Sequence, residues 1–140
     1  MADPTQTLLL ESTWRRVARL YDAELGRADL DWVRYTLLST LSLGHKARIV
    51  GLARALGLPL HAVSIGLRRL RSKGLVRGVL GTDRRKRYWV VTKKGHAARK
   101  RADPHWHEAQ RKLRKIIGVE RFDGLQSALN DLDRKTKASR

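Results

Sequence analysis

The chain contains no cysteine. That excludes disulfides, thiol redox switches and thiolate zinc sites. Acids are scarce: 13 Asp and Glu stand against 31 Lys and Arg in 140 residues, a formal net charge of +18. No window approaches the ~20 apolar residues that a membrane span needs. Residues 1–12 lack the basic start and long apolar run of a signal peptide, so a cytoplasmic protein with no membrane partner is expected. The histidines are scattered. His105 and His107 lie two apart, and residues two apart on a helix point away from each other. No nucleophile, base and orienting group can be assembled, so an enzyme is not expected, and neither is a metal or cofactor.

Apolar residues make up 41% of the chain, too many for a disordered polycation and enough for several amphipathic helices. A single domain over 1–140 is expected. The charge is unevenly placed. From Trp32 to Ala102 there are eighteen Lys and Arg and one acid, Asp83, so that segment holds +17, and the two flanks together hold +1. A field of one sign fits a polyanion, because neutralising phosphates releases condensed counterions. A surface built for solubility intersperses both signs, as the flanks do.

Residues 60–92 combine two basic features. Val63, Leu67 and Leu70 fall at helical spacing within Leu60–Lys73, and Gly74 is a stop signal. The other faces of this helix carry His61, Ser64, Ile65, Arg68, Arg69, Arg71 and Lys73. Two β-leaning runs follow, Leu75–Leu80 and Arg87–Thr92, joined by the charged turn Gly81–Lys86. On the second run Trp89 and Val91 share one face and Tyr88 and Val90 the other. A preceding helix, Ala47–Leu56, ends at Gly57-Leu58-Pro59, which makes a helix-turn-helix. A basic helix followed by a basic-tipped hairpin is the outline of a winged-helix nucleic-acid reader.

The rest of the chain is helical in pattern. Asp3-Pro4 is a start signal for a helix whose stripe is Leu10, Trp14, Val17, Tyr21 and Leu25. Asp29 is expected to cap a second helix with the stripe Leu30, Val33, Leu37 and Leu41. Thr92 is expected to cap a helix over Lys93–Arg101, and Asp103-Pro104 to restart or kink it. Two further stripes follow: Trp106, Ala109, Leu113 and Ile116 or Ile117, then Val119, Phe122, Leu125, Ala128, Leu129 and Leu132. The polar tail from Arg134 is expected to fray. The terminal helices carry more large apolar residues than a small monomer covers, which points to a homodimer.

Leu52-Ala53, Leu56-Gly57-Leu58, Val63-Ser64, Leu70, Gly74-Leu75-Val76, Asp83-Arg84-Arg85 and Val91-Thr92-x-x-Gly95 occur in the order and spacing of the MarR family of winged-helix transcriptional regulators, which the chain resembles from about Asp29 onward. It departs from the family at Ile65, where a polar or basic residue is usual, and at Gly66, where a larger one is. The resemblance implies a mainly α fold with a small β-hairpin wing. The winged helix-turn-helix core would span 29–92, with dimerisation helices over 1–28 and 93–134 and a tail over 135–140. It implies a homodimer that binds double-stranded DNA, with a recognition helix in the major groove and the wing in the minor groove. Asp83 would hold Arg85 as the minor-groove probe, and Arg84 would contact phosphate. By the usual division of labour, His61, Ser64, Ile65 and Arg68 are the base-reading candidates. Arg69, Arg71, Lys73, Arg77, Lys86 and Arg87 are then the phosphate contacts. Family members often bind small aromatic effectors, for which Trp14, Trp32, Tyr35, His45 and Trp106 are the candidate pocket; packing is the alternative use of these rings. The expected activity is sequence-specific transcriptional regulation, as a repressor. The rivals are a nucleoid-type DNA binder without an operator and an RNA-binding winged helix that uses Tyr88 and Trp89 for stacking.

Overall fold

The computed structural model describes residues 5–44 and 46–139. In chain order they form α1 (Thr5–Leu25), a 3-10 turn (Gly26–Ala28), α2 (Trp32–Leu43), α3 (Ile49–Leu56), α4 (Leu60–Ser72), β1 (Val76–Leu80), β2 (Arg87–Val91), α5 (Lys93–Ile117) and α6 (Val119–Ala138). The mainly helical class with a small β wing is therefore what the chain adopts. The described residues divide into two compact units after Trp106.

The first unit is built on α2 and α4. Leu37, Leu38 and Leu41 of α2 are buried, as are Val63, Leu67 and Leu70 of α4. Full burial of each such aliphatic side chain contributes ~1.5–3 kcal/mol. Gly66 faces the same way: a Cβ there would lie 2.7 Å from Leu37 Cδ1. Its missing side chain lets α4 settle on α2, so this departure from the family pattern belongs to the core and not to the outward face. Between α3 and α4 the chain reverses at Gly57, whose φ of 63° is left-handed and whose N–H donates to the Ala53 and Arg54 carbonyls. Pro59 then enters α4 in an extended conformation.

The hairpin pairs Val76 with Val91 and Gly78 with Trp89 in antiparallel register. Its base is clamped to α5 through the Thr-x-x-Gly motif. Thr92 N–H donates to the Leu75 carbonyl (3.1 Å). Thr92 Oγ1 donates to the Gly74 carbonyl (2.6 Å) and accepts from Gly95 N–H (3.0 Å), so it caps α5 as expected. A Cβ on Gly95 would stand 2.0 Å from the Leu75 oxygen. The helix can start this close to the wing only because residue 95 has no side chain.

Several expectations are corrected. Asp29 does not cap α2; it closes the 3-10 turn in a left-handed conformation with φ 61°. The cap is Asp31, whose Oδ1 accepts from Arg34 N–H at 2.8 Å. Trp32 N–H is taken by Asp22 instead, at 2.8 Å, and burial raises the Asp22 pKa while that hydrogen bond opposes the rise. Helix α3 begins at Ile49 and not at Ala47, because Ala47 bridges to Trp89 through two hydrogen bonds of 3.1 and 2.8 Å. Helix α5 does not restart at Asp103-Pro104; it runs through Pro104, and Asp103 accepts from the Tyr35 hydroxyl at 2.9 Å. The Asp3-Pro4 start signal lies outside the described residues.

In the second unit Gly118, at φ 89°, joins the end of α5 to α6. Phe122 is buried, with the Arg114 guanidinium 5.1 Å from its ring centroid. Val119, Leu125, Leu129 and Leu132 are exposed along α6. The tail expected to fray from Arg134 is helical to Ala138. Arg134–Asp131 (2.6 Å) and Lys137–Asp133 (2.8 Å) are helical-spacing ion pairs that support it.

Candidate nucleic-acid interface

With Val63, Gly66, Leu67 and Leu70 turned inward, a helix advancing 100° per residue places His61, Ile65 and Arg68 on the opposite side of α4. All three are exposed, Ile65 at 43%. An exposed branched aliphatic between a histidine and an arginine is an apolar probe on an otherwise polar face. Arg69 is exposed on the α2 side, where it lines a cleft of about 270 Å³ with Asp31, Arg34 and His61. Ser64 and Arg71 stand on the hairpin side.

A second cleft, of about 170 Å³, separates α4 from the wing. Ser64, Arg68 and Arg71 line it from α4, Arg87 and Trp89 from β2, and Ile49 from α3. Three arginines thus line one cleft with no carboxylate in its lining. Trp89 is only 9% exposed and forms the floor, with the Arg71 guanidinium 5.9 Å from its ring centroid. The mutual repulsion of these cations is relieved by an anion placed among them.

The wing tip is closed by backbone hydrogen bonds from Gly81 N–H to Lys86 O (3.0 Å) and from Lys86 N–H to Asp83 O (2.9 Å). Asp83 Oδ1 accepts from Arg85 N–H at 3.1 Å and from Arg85 Nε at 3.4 Å. The acid therefore braces the backbone of the tip and touches the side chain beyond it, and Arg85 itself is 93% exposed. Arg84, Lys86 and Arg87 are exposed beside it, and Arg77 is exposed on β1.

Two supports of the wing were not among the sequence candidates. Ala47 forms its one-residue bridge to Trp89, and Lys46 Nζ lies 4.5 Å from the Tyr88 ring centroid. The Tyr88 ring in turn fills the space that a side chain on Gly81 would need. A one-residue bridge has no periodicity to read, so no sequence signal marks Ala47. Lys73 is set apart from the other α4 candidates: its Nζ is paired with Asp29 at the end of the helix, and this holds the Asp29 carboxyl below the usual carboxylate range.

The candidate effector residues are brought together in two ring contacts. Trp14 meets Trp32 edge to face at 5.1 Å, and Tyr35 stacks on Trp106 at 6.1 Å. Tyr35 is buried and its hydroxyl donates to Asp103, which also receives Arg99 at 3.0 Å. Burial first, and then the hydrogen bond to Asp103, push the Tyr35 pKa up to about 12. His45 lies outside the described residues. Among the described residues no group of three side chains is arranged to hold a metal ion, and no single helix is long and apolar enough to cross a membrane.

No protein-family model matches the chain, and no curated protein matches it. Solved structures do. The M. tuberculosis transcriptional regulator MosR in complex with DNA is 25% identical, with 96% of this chain and 97% of that one covered at a TM-score of 0.80. A mutant of MarR from E. coli complexed with operator DNA is 20% identical, with 94% and 99% covered at a TM-score of 0.80. The transcriptional regulator BldR from Sulfolobus solfataricus is 22% identical, with 93% and 99% covered at 0.73.

Proposed function

We propose that this chain, which has the fold of the MarR-type winged-helix regulators, is a DNA-binding transcriptional regulator acting as a homodimer in the cytoplasm. The observation that carries the reading is the continuity of positive charge from the outward face of α4, through the cleft shared by Arg68, Arg71 and Arg87, to the exposed Arg85 at the wing tip. A duplex backbone crossing that cleft has the major groove on one side and the minor groove on the other. In this reading His61, Ile65 and Arg68 face base edges, Ser64 and Arg69 flank them, and Ile65 meets a thymine methyl. Arg71, Arg87, Arg84, Lys86 and Arg77 neutralise phosphates. Arg85 enters an A·T-rich minor groove, where the negative potential is deepest. Lys73, already paired with Asp29, contributes least.

Leu8, Leu9, Leu10 and Trp14 are exposed on α1, and Leu125, Leu129 and Leu132 on α6. Such apolar rows favour pairing with a second copy, and a two-fold axis then presents two reading heads. A regulator of this kind represses by occupying an operator. An aromatic effector acting at Trp14, Trp32, Tyr35 and Trp106 would have to part rings that already pack on one another.

The RNA-reading alternative is disfavoured by Trp89 being buried and Tyr88 lying beneath Lys46, so neither ring is presented for base stacking. Competition between duplex DNA and structured RNA of equal charge tests the choice. Preference for the duplex is expected, and preference for the RNA overturns the reading.

A further inference from the structure

The first half of α5 carries a charged face that the reading head does not use. Lys93, Lys94, Lys100 and Arg101 are exposed, whereas Gly95, Ala98 and Ala102 are buried. At 100° per residue Lys93 and Lys100 stand opposite the buried set, with Lys94 and Arg101 beside them. The next acid along the helix, Asp103, is already taken by Arg99 and by the Tyr35 hydroxyl. Among the described residues none of the four cations has an ion-pair partner, in contrast to Lys73 and Arg99 nearby.

The direction of this face is fixed by what α5 packs on. Its buried side meets Leu75 through Gly95, and α2 through the contacts of Tyr35 with Asp103 and Trp106. Helix α2 in turn lies on the inward side of α4, where Leu37 meets Gly66. Lys93, Lys100 and Arg101 therefore point away from the His61–Ile65–Arg68 face, and Lys94 turns toward the C-terminal end of α4, where it lines a cleft with Lys73 and Asp29. A duplex seated on α4 and the wing leaves these cations of α5 uncovered.

The chemistry of the face selects its partner. Its centre offers only Ala97 between the cations, with Pro104 at its far end, and no large apolar side chain. Protein interfaces are centred on aromatic and aliphatic anchors. Binding to a phosphate backbone needs no anchor, only cations spaced along a groove or strand. Lys93 and Lys94 also stand in the first turn of α5, which contains no acid and where the helix field disfavours positive charge. A phosphate row beside them relieves that cost.

We propose that this face of α5 is a second, sequence-independent duplex-binding surface, which holds the backbone of a DNA segment other than the one under the recognition helix, so that the protein bridges two duplexes. The proposal rests on the DNA-reading function above. From Lys93 to Arg101 the helix rises ~12 Å, a length of duplex that carries about seven phosphate charges. Neutralising four of them adds about 3–4 to the logarithmic salt slope of bridging.

The test is a two-duplex capture. One duplex is immobilised, saturated with protein and washed; a labelled duplex of unrelated sequence is then added. The wild type should retain the second duplex in a steeply salt-dependent way. The variant K93Q/K94Q/K100Q/R101Q should lose retention at least tenfold and keep its affinity for a single duplex within about twofold, since none of these side chains contacts the first duplex. Retention unchanged in the variant overturns the proposal, because bridging would then run through two reading heads. An equal loss of single-duplex affinity also overturns it, by placing the face on the flank of the same DNA. So does tighter capture of polyglutamate than of the second duplex, which would make the partner an acidic protein. Failure of the wild type to load on the first duplex sinks the DNA-reading function itself, and is seen before the second duplex is added.

Discussion

Replacing Gly95 by alanine should be among the most damaging single-methyl additions to this chain. The added Cβ would stand 2.0 Å from the Leu75 oxygen, against an ordinary C···O approach of ~3.3 Å or more. Helix α5 or the Leu75 peptide must therefore shift by more than ~1 Å. Neither is a flexible side-chain end. The Leu75 oxygen also accepts from Thr92 N–H, and Gly95 N–H donates to Thr92 Oγ1, so a shift weakens two hydrogen bonds that tie the wing to the helix. Two such bonds contribute ~1 kcal/mol each and overpacking costs ~1–3 kcal/mol, which gives a destabilisation of about 3–5 kcal/mol. With a urea slope of ~2 kcal/mol/M, the unfolding midpoint should fall by roughly 1.5–2.5 M at fixed protein concentration. Gly124→Ala is the control. It sits inside α6 with nothing within 4 Å of its would-be Cβ, and should stabilise by ~0.5–1 kcal/mol. A Gly95→Ala midpoint indistinguishable from wild type would refute the clamp at the base of the wing.

Three further outcomes follow from the same geometry. Arg85→Ala should weaken duplex binding by about 10- to 100-fold, as expected for a charge-assisted contact, whereas Arg134→Ala, exposed near the chain's end, should leave it within twofold; equal effects in a fluorescence titration would remove the wing from the interface. Asp83→Ala loses only the brace on Arg85, an exposed pair worth ~0.2–1 kcal/mol, so its loss should be about 1.5- to 5-fold. Tyr35 stays protonated in the folded chain up to about pH 12, whereas an unfolded tyrosine ionises near pH 10. Its contribution to stability is thus fully present below pH 10 and declines between pH 10 and about 12. Tyr35→Phe should flatten that part of the wild-type stability profile, and an unchanged slope in the variant would contradict the buried hydrogen bond to Asp103.

The reading head was largely legible because its signals are local. The inward stripe of α4, the Gly57 turn and the Thr92 cap each follow from residues within one or two turns of each other, and each is found where expected. The errors fall where a distant contact decides. Asp29 is the cap expected from sequence, but it is held by Lys73; Asp31 accepts the Arg34 N–H instead, and Asp22, ten residues from Trp32, accepts the Trp32 N–H. Pro104 removes one helical hydrogen bond, but Tyr35 grips Asp103 on one side of it and Trp106 on the other, so α5 continues. The sequence pattern starts a helix at Ala47, but Ala47 bridges to Trp89 and Arg48 is extended, so α3 begins at Ile49. Gly66, unexplained by its own segment, is explained by Leu37 of another helix. At the interface, the residue types were legible. That Arg68, Arg71 and Arg87 share one cleft, and that Lys73 is diverted to Asp29, depend on how α4 is rotated against the wing and the 3-10 turn.

In the proposed function, α4 and the wing read duplex sequence as a two-fold pair. Selection of bound duplexes from a random pool, followed by titration of the enriched and random sequences at physiological salt, tests it most directly. The expected result is an inverted repeat with half-sites ~10 base pairs apart and an affinity at least ~10³-fold above that for random duplex. A pool that yields no repeat, with specific and random duplexes bound equally, would contradict it.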